Sequence, residues 1–499
     1  FLNFENNLVS FSIITLILFI LKNLFMFFYI RMSSFFFSYL SVFHQEKILQ
    51  SYLSKDYNFM SNKNSSFFLR EIVDEAKLLN SNFIQPILAI FLNLLTILFF
   101  TFFLMSINLS YTFYLILFSI IFYFSFIIIF KNKIIFFGNQ RRIMRLGIIN
   151  SVKQMFEGFR ELIIYDKKFF FVSDIKKRFN RMANVSASRG IISNLPKLFL
   201  EVILVFLFLI IILIDQGNKQ YDLATLGIFI ASAFRVMPNI ISLIRSYQRM
   251  NYGKTAFDNL VPLLKGKSLN IENENEISNE INLKKELKIK NANFAYNDKN
   301  IIFENLNLTL NKNSCIGIKG ESGSGKSTLV DIICGFLNIN HGKIIIDGKE
   351  AEIFNNKNWL RKISYIQQSI YLFDSNISKN IALENDQNKI DFKLIEEILS
   401  KINMLEFSKK DPNIRLGELG SKISGGQAQR IGIARALYSK SQIIIFDESF
   451  NSLDEKNHKQ ILNLINEIKN NKTIIIISHD NKDFGICEKI YEIKDKKII

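Results

Sequence analysis

Apolar residues are not spread evenly along this chain. Runs of Phe, Ile and Leu fill the first half, while the second half alternates short apolar stretches with Lys, Asn and Glu. Five runs are long enough to cross a hydrocarbon core of about 30 Å: Leu8–Ile30, Phe83–Ile107, Tyr111–Phe130, Leu198–Ile214 and Leu223–Ile244. Residues 35–53 and 151–170 keep apolar residues at helical spacing with few breakers. The helices are therefore expected to continue past the bilayer. The pattern predicts a polytopic α-helical membrane domain over 1–264 and a polar linker over 265–286. An α/β domain follows over 287–499.

Charge orients these spans. The connection Ser106–Ser110 carries no charge, and Asp215–Asp222 has one Lys against two Asp. The segment Lys131–Arg189 is long and basic, with Arg141, Arg142, Arg145, Lys153, Arg160, Lys167 and Lys168 among its cations. Basic connections stay in the cytoplasm, which puts Phe1 outside and the α/β domain inside. The net charge of +17 thus belongs to membrane topology, and no nucleic-acid partner is expected. The three cysteines, Cys315, Cys334 and Cys487, are odd in number and irregularly spaced. That excludes a disulfide framework and fits a reducing compartment. The chain opens at Phe1 rather than Met, so a fragment or processed product is expected.

The α/β half carries the chemistry. CIGIKGESGSGKSTLVDIICG (315–335) sets a short apolar strand before a glycine-rich turn and a helix. Gly320-x-x-x-x-Gly325-Lys326-Ser327 is the P-loop pattern. Its glycines let backbone N–H groups converge on phosphate, and the helix N-terminus adds partial positive charge. Lys326 is placed to reach the β/γ-phosphates and Ser327 to ligate Mg²⁺. SQIIIFDES (441–449) is a buried-strand run ending in two carboxylates. Asp447 can hold the Mg²⁺ shell and Glu448 can polarise a water. Between them, ISGGQAQR (423–430) offers small residues whose backbone can approach a phosphate.

Together these motifs resemble the ATP-binding cassette exporters, and the resemblance extends over nearly the whole chain. It implies ATP and Mg²⁺ as cofactors, with ATP bound by Gly320, Glu321, Ser322, Gly323, Ser324, Gly325, Lys326, Ser327 and Thr328. Tyr296 in NFAYND sits where the family stacks an aromatic on adenine, and YIQQ (365–368) makes Gln368 the glutamine-loop residue and a further Mg²⁺ ligand. LGELGSKISGGQ (416–427) matches the signature, so Ser424, Gly425, Gly426 and Gln427 would face the ATP of a partner. NSLD (451–454) supplies the D-loop Asp454, and IIIISHD (474–480) supplies the switch histidine, His479. Ile423, Gln367, Asn451 and Ser452 depart from the usual pattern without removing a catalytic group. One P-loop and one signature per chain imply a homodimer. The resemblance also implies two coupling helices, within 51–86 and 157–168, and six spans. Five are present, so Leu8–Ile30 corresponds to the second, and the first is missing.

Arg235 and Pro238 interrupt the last span. Counted from the outer ends of their helices, Lys22, Glu201 and Arg235 all lie about 20 Å down. Either Arg235 pairs with Glu201 while Lys22 snorkels, or Lys22 and Arg235 line a cavity for an anionic headgroup. Pro238 is expected to kink the helix. GFRELIIYDKKFFF (158–171) and AFRVMPNI (233–240) look like stretches of bacterial flippases of lipid-linked oligosaccharides. The resemblance thus implies ATP-driven export of an amphipathic lipid-linked glycan across a bacterial inner membrane, with the cassette in the cytoplasm. Drug, peptide or lipid A export, an ATP-gated channel and a truncated inactive product are the alternatives.

Overall fold

The computed structural model describes residues 8–215, 223–266, 281–296, 301–411 and 413–499. The chain divides into two compact units, one of Phe1–Lys55 with Phe59–Asn270, the other of Asp56–Asn58 with Ile271–Ile499.

The first unit is helical. α1 spans Leu8–Leu53, a short α2 covers Tyr57–Ser61 (its first two residues counted with the second unit), and α3 runs over Ser65–Met105. α4 spans Leu109–Glu157 and the short α5 covers Phe159–Ile164. α6 (Lys168–Asp215) and α7 (Leu223–Lys265) complete the unit. The expected spans all fall on helical backbone. At 1.5 Å per residue, the 46 residues of α1 reach about 69 Å, more than twice a hydrocarbon core. Four helices among the described residues are long and apolar enough to cross a membrane: Ser10–Leu53, Ser65–Met105, Thr112–Glu157 and Gly227–Lys265. The expected span Leu198–Ile214 is helical backbone within α6, but most of its outer side chains lie outside the described residues. The outer connection 216–222 and linker residues 267–280 lie outside them too. Short helices α2 and α5 occupy the turns where coupling helices are expected. Helix α7 continues unbroken through Pro238.

Sequence periodicity did not reveal two π-helical turns in α3, Arg70–Glu75 and Asn80–Ile84. π-turns concentrate at functional or strained places. The first carries a buried charge ladder. Arg141 donates to both carboxylate oxygens of Glu75 at 3.0 and 3.1 Å, and Arg142 donates to Glu71 at 2.8 Å. Arg145 grips Asp74 at 2.8 and 3.3 Å, and Arg70 bonds Glu71. Three arginines expected only to set topology are therefore structural partners of acids on α3.

The second unit holds two sheets. A four-stranded antiparallel sheet has the order β2-β1-β4-β5, with β1 at Glu286–Ala295, β2 at Ile301–Asn311, β4 at His341–Ile346 and β5 at Lys349–Glu350. The other has the order β10-β9-β3-β8-β7-β6. Its strands are β3 (Cys315–Gly320), β6 (Ile363–Ile366), β7 (Ile443–Asp447), β8 (Thr473–Ile477), β9 (Lys489–Lys494) and β10 (Lys497–Ile498). All but β10 run parallel. The unbroken Ile runs of β7 and β8 suit strands covered on both faces. Ile443, Ile445, Ile475 and Ile477 join one core, and Ile444, Phe446, Ile474 and Ile476 the other, as a two-residue period requires. This sheet aligns the carboxyl ends of β3, β7 and β8 at one edge, where Gly320, Asp447 and Ser478 emerge.

Candidate active site

The glycine-rich turn after β3 opens onto α8 (Lys326–Cys334). Gly323 and Gly325 take positive φ, +81° and +103°. A side chain at either would strain the backbone. A Cβ at Gly323 would meet nothing within 4 Å, leaving the loop open for a ligand. Lys326 Nζ donates to the carbonyls of Gly320 (2.8 Å) and Glu321 (2.9 Å), so the lysine is held across its own loop. Burial pushes its ammonium below the usual lysine range, opposed by the nearby charges of Glu448 and Asp447. Ser324 Oγ is buried without a hydrogen-bond partner, as a group awaiting a phosphate oxygen would be.

β7 and β8 bring the remaining groups to the same edge. His479 Nε2 lies 2.7 Å from Glu448 Oε1 and 3.2 Å from Lys326 Nζ. Gln368 Nε2 donates to Glu448 Oε2 at 2.8 Å. Lys326, His479, Glu448 and Gln368 thus form one continuous polar chain. Glu448 reaches it from a left-handed backbone, φ +47°. That conformation is uncommon outside glycine and asparagine and marks functional turns. Asp447 Oδ2 accepts from Tyr365 OH at 2.7 Å. Burial raises the Asp447 carboxyl, with the Tyr365 bond pulling the other way. Ser327, Asp447 and Gln368 carry the hydroxyl, carboxylate and amide oxygens that could hold a Mg²⁺ ion beside phosphate and water.

A family model described as ABC transporter matches residues 303–451. Over 364 residues the chain is 25% identical to an ATP-dependent lipid A-core flippase of Photobacterium profundum, covering 71% of this chain and 61% of that one. A lipid A-core flippase of Saccharophagus degradans is 32% identical over 277 residues, covering 54% and 45%. The chain spans about half to three-fifths of the length of the curated relatives it matches. A bacterial Atm1-family ABC exporter solved with ATP bound superposes with a TM-score of 0.84 at 16% identity, covering 100% of this chain and 89% of that one. The chain carries an ABC transporter domain on an ABC exporter fold.

Within the cassette, the other expected residues have local jobs as well. Tyr296 is exposed beside the loop, its OH 3.3 Å from Thr328 Oγ1 and its ring edge-on to Phe294. Ser424 caps α9 (Gly425–Tyr438) in a capping box. Its Oγ accepts from Gln427 N at 3.2 Å, while Gln427 Oε1 accepts from Ser424 N at 2.9 Å. Ser-x-x-Gln is itself a readable helix start, a signal not used above. Asp454 caps α10 (Glu455–Ile468), accepting from Asn457 N at 2.8 Å, and that bond holds its carboxyl below the usual range.

Several positioning residues escaped the sequence reading. Gln429 Nε2 donates to the Gln368 carbonyl at 2.6 Å, tying α9 to the glutamine loop. Ser449 Oγ donates to the Ile366 carbonyl at 2.9 Å. Asp483 is buried between Ser478 and His458, whose Nε2 lies 2.7 Å away, and so fixes the turn that carries His479.

In the membrane unit, the Arg235–Glu201 pair is not formed. Glu201 pairs one turn back with Lys197 at 3.8 Å, because both sit on the same face of α6. Arg235 is exposed, and Lys22 lies over the Phe19 ring at 5.4 Å.

Proposed function

We propose that this chain is half of an ATP-driven exporter in a bacterial inner membrane, working as a pair of identical copies. The observation that carries this reading is the unbroken polar chain Lys326–His479–Glu448–Gln368 at the mouth of the P-loop. A bound ATP exchanges the carbonyls of Gly320 and Glu321 for phosphate oxygens on Lys326. Ser327, Asp447 and Gln368 would hold a Mg²⁺ ion, which would supply positive charge to those phosphates. Glu448, oriented by Gln368 and His479, then accepts a proton from the attacking water, and His479 senses the γ-phosphate. Ser424 and the N-terminus of α9 approach the γ-phosphate of the other copy. The two short turns, α2 and α5, carry the resulting motion to the membrane helices.

The names of the relatives, lipid A-core flippases, support an amphipathic lipid as cargo. Within that class we read a lipid-linked oligosaccharide. Its pyrophosphate would meet Arg235 and Lys22, which lie exposed on the single chain. The test is Glu448→Gln in full-length protein reconstituted in lipid. Losing the base lowers ATP turnover about 100-fold or more, while a fluorescent ATP analogue still binds. Turnover within about threefold of wild type would remove Glu448 from the role of base.

A further inference from the structure

A second basic site lies on α6 and α7, away from Arg235. A cavity of about 370 Å³ is lined by Arg189, Arg245, Arg249, Gln248 and Asn194 over the buried Ile134 of α4. Three guanidinium groups converge on it, and no carboxylate lines it. Each is held differently. Arg189 stacks on the Tyr252 ring at 3.7 Å. Arg245 donates to Asn194 Oδ1 at 2.9 Å and to the Ser193 carbonyl at 3.4 Å. Arg249 is exposed, with no side-chain partner among the described residues. Arg141, whose guanidinium lies over the same Tyr252 ring, is already paired with Glu75. Gln248 is 6% exposed, and its Oε1 accepts no hydrogen bond. A buried acceptor without a donor beside uncompensated cations calls for a ligand with both anionic oxygens and a hydroxyl.

Depth agrees. Arg189 lies 25 residues from Ile214 along α6, and Arg245 lies 22 residues from Leu223 along α7. At 1.5 Å per residue both sit about 33–38 Å below the outer helix ends, at headgroup rather than hydrocarbon level. An apolar groove adjoins the cavity and shares Ile192 with it, lined by Phe136, Phe137 and Ile191.

We propose that Arg189, Arg245 and Arg249 form an entry site on the cytoplasmic side for a phosphomonoester or pyrophosphate group. This deepens the export reading and rests on it for the cargo. The phosphate spans the guanidinium groups, and the P–OH of the phosphomonoester, or a hydroxyl beside a pyrophosphate, donates to Gln248 Oε1. The adjoining groove favours a lipid-borne phosphate, with the first acyl carbons along Phe136 and Ile191.

The test uses full-length protein in phosphatidylcholine nanodiscs with ADP saturating the P-loop. Retained lipid is counted by native mass spectrometry. Phosphatidic acid, a phosphomonoester, should be retained about tenfold better than phosphatidylglycerol. Arg249→Gln should cost roughly tenfold, and R189Q/R245Q/R249Q should erase the preference. Displacement of phosphatidic acid by millimolar inorganic pyrophosphate would assign the site to a free anion, and failure to displace it to a lipid headgroup. Equal retention of the two lipids, or an unchanged preference in both variants, overturns the proposal. Arg249 has no hydrogen-bond or ion-pair partner among the described residues, so R249Q should keep the fold. ATP turnover of the wild type is read in the same nanodiscs. Absent turnover in wild type would sink the export reading while leaving lipid retention to be read separately.

Discussion

Replacing Glu75 by Gln tests the charge ladder of α3 and α4. The side chain of Glu75 is fully buried, and that of Arg141 is 10% exposed. At 3.0 Å, two unit charges attract by roughly 5 kcal/mol at an effective dielectric of 20. Breaking one partner of a buried pair costs about 3–5 kcal/mol, because the other charge stays buried. No spare acceptor takes over, since Arg70 Nε, Arg141 Nε and Arg142 Nε are already buried without partners. The ladder also holds one more cation than anion, Arg70, Arg141, Arg142 and Arg145 against Glu71, Asp74 and Glu75. The amide therefore leaves a surplus of positive charge. At about 2–4 °C per kcal/mol, the thermal midpoint of purified protein should fall by roughly 10 °C. Fluorescence-detected thermal unfolding reads this directly. The swap E75R/R141E should recover at least half of the loss, as coupling between contacting residues requires. A fall below about 2 °C for Glu75→Gln, with no rescue by the swap, would refute the ladder as a stabilising contact.

Two further outcomes follow from the cassette. Burial, then the charge of Asp447, pushes the Asp331 carboxyl up to about 6 from 3.8. A raised carboxyl favours folding at low pH, and its burial cost grows from pH 4 to 6 and is complete above 6. Asp331→Asn should thus raise the thermal midpoint more at pH 7.5 than at pH 5, and an equal gain at both would contradict the assignment. Cys315 and Cys334 are buried and their thiols are pushed up, Cys315 by its bond to Cys487 and by burial, Cys334 by burial. Maleimide should label Cys487 in native protein and all three only after unfolding. Equal labelling rates would show that the packing around β3 is wrong.

The cassette was largely legible because its chemistry is local. Gly320–Ser327, Asp447–Glu448 and His479 each sit at the end of an apolar strand, and the parallel sheet brings those ends together. What stayed hidden was nonlocal. Glu75 and Arg141 are 66 residues apart, and no periodicity links them. The π-turn that carries the acids has ordinary helix formers, REIVDE, so nothing in its pattern warns of the wider turn. Arg189 and Arg245 belong to different helices; Arg189 only closed a basic segment, and nothing in the pattern singled out Arg245. Arg235 and Glu201 were matched by depth alone, and depth says nothing about azimuth around a helix.

The short bond from Gln429 to the Gln368 carbonyl makes α9 a lever with two ends. Its first residue, Gly425, follows the serine that would touch another copy's nucleotide. About one turn on, the same rod grips the loop beside its own. If copies of this chain pair as proposed, a shift of this rigid cylinder at one seam would tug on the other. Loading at either pocket would then be felt at both without any message passing through the bilayer.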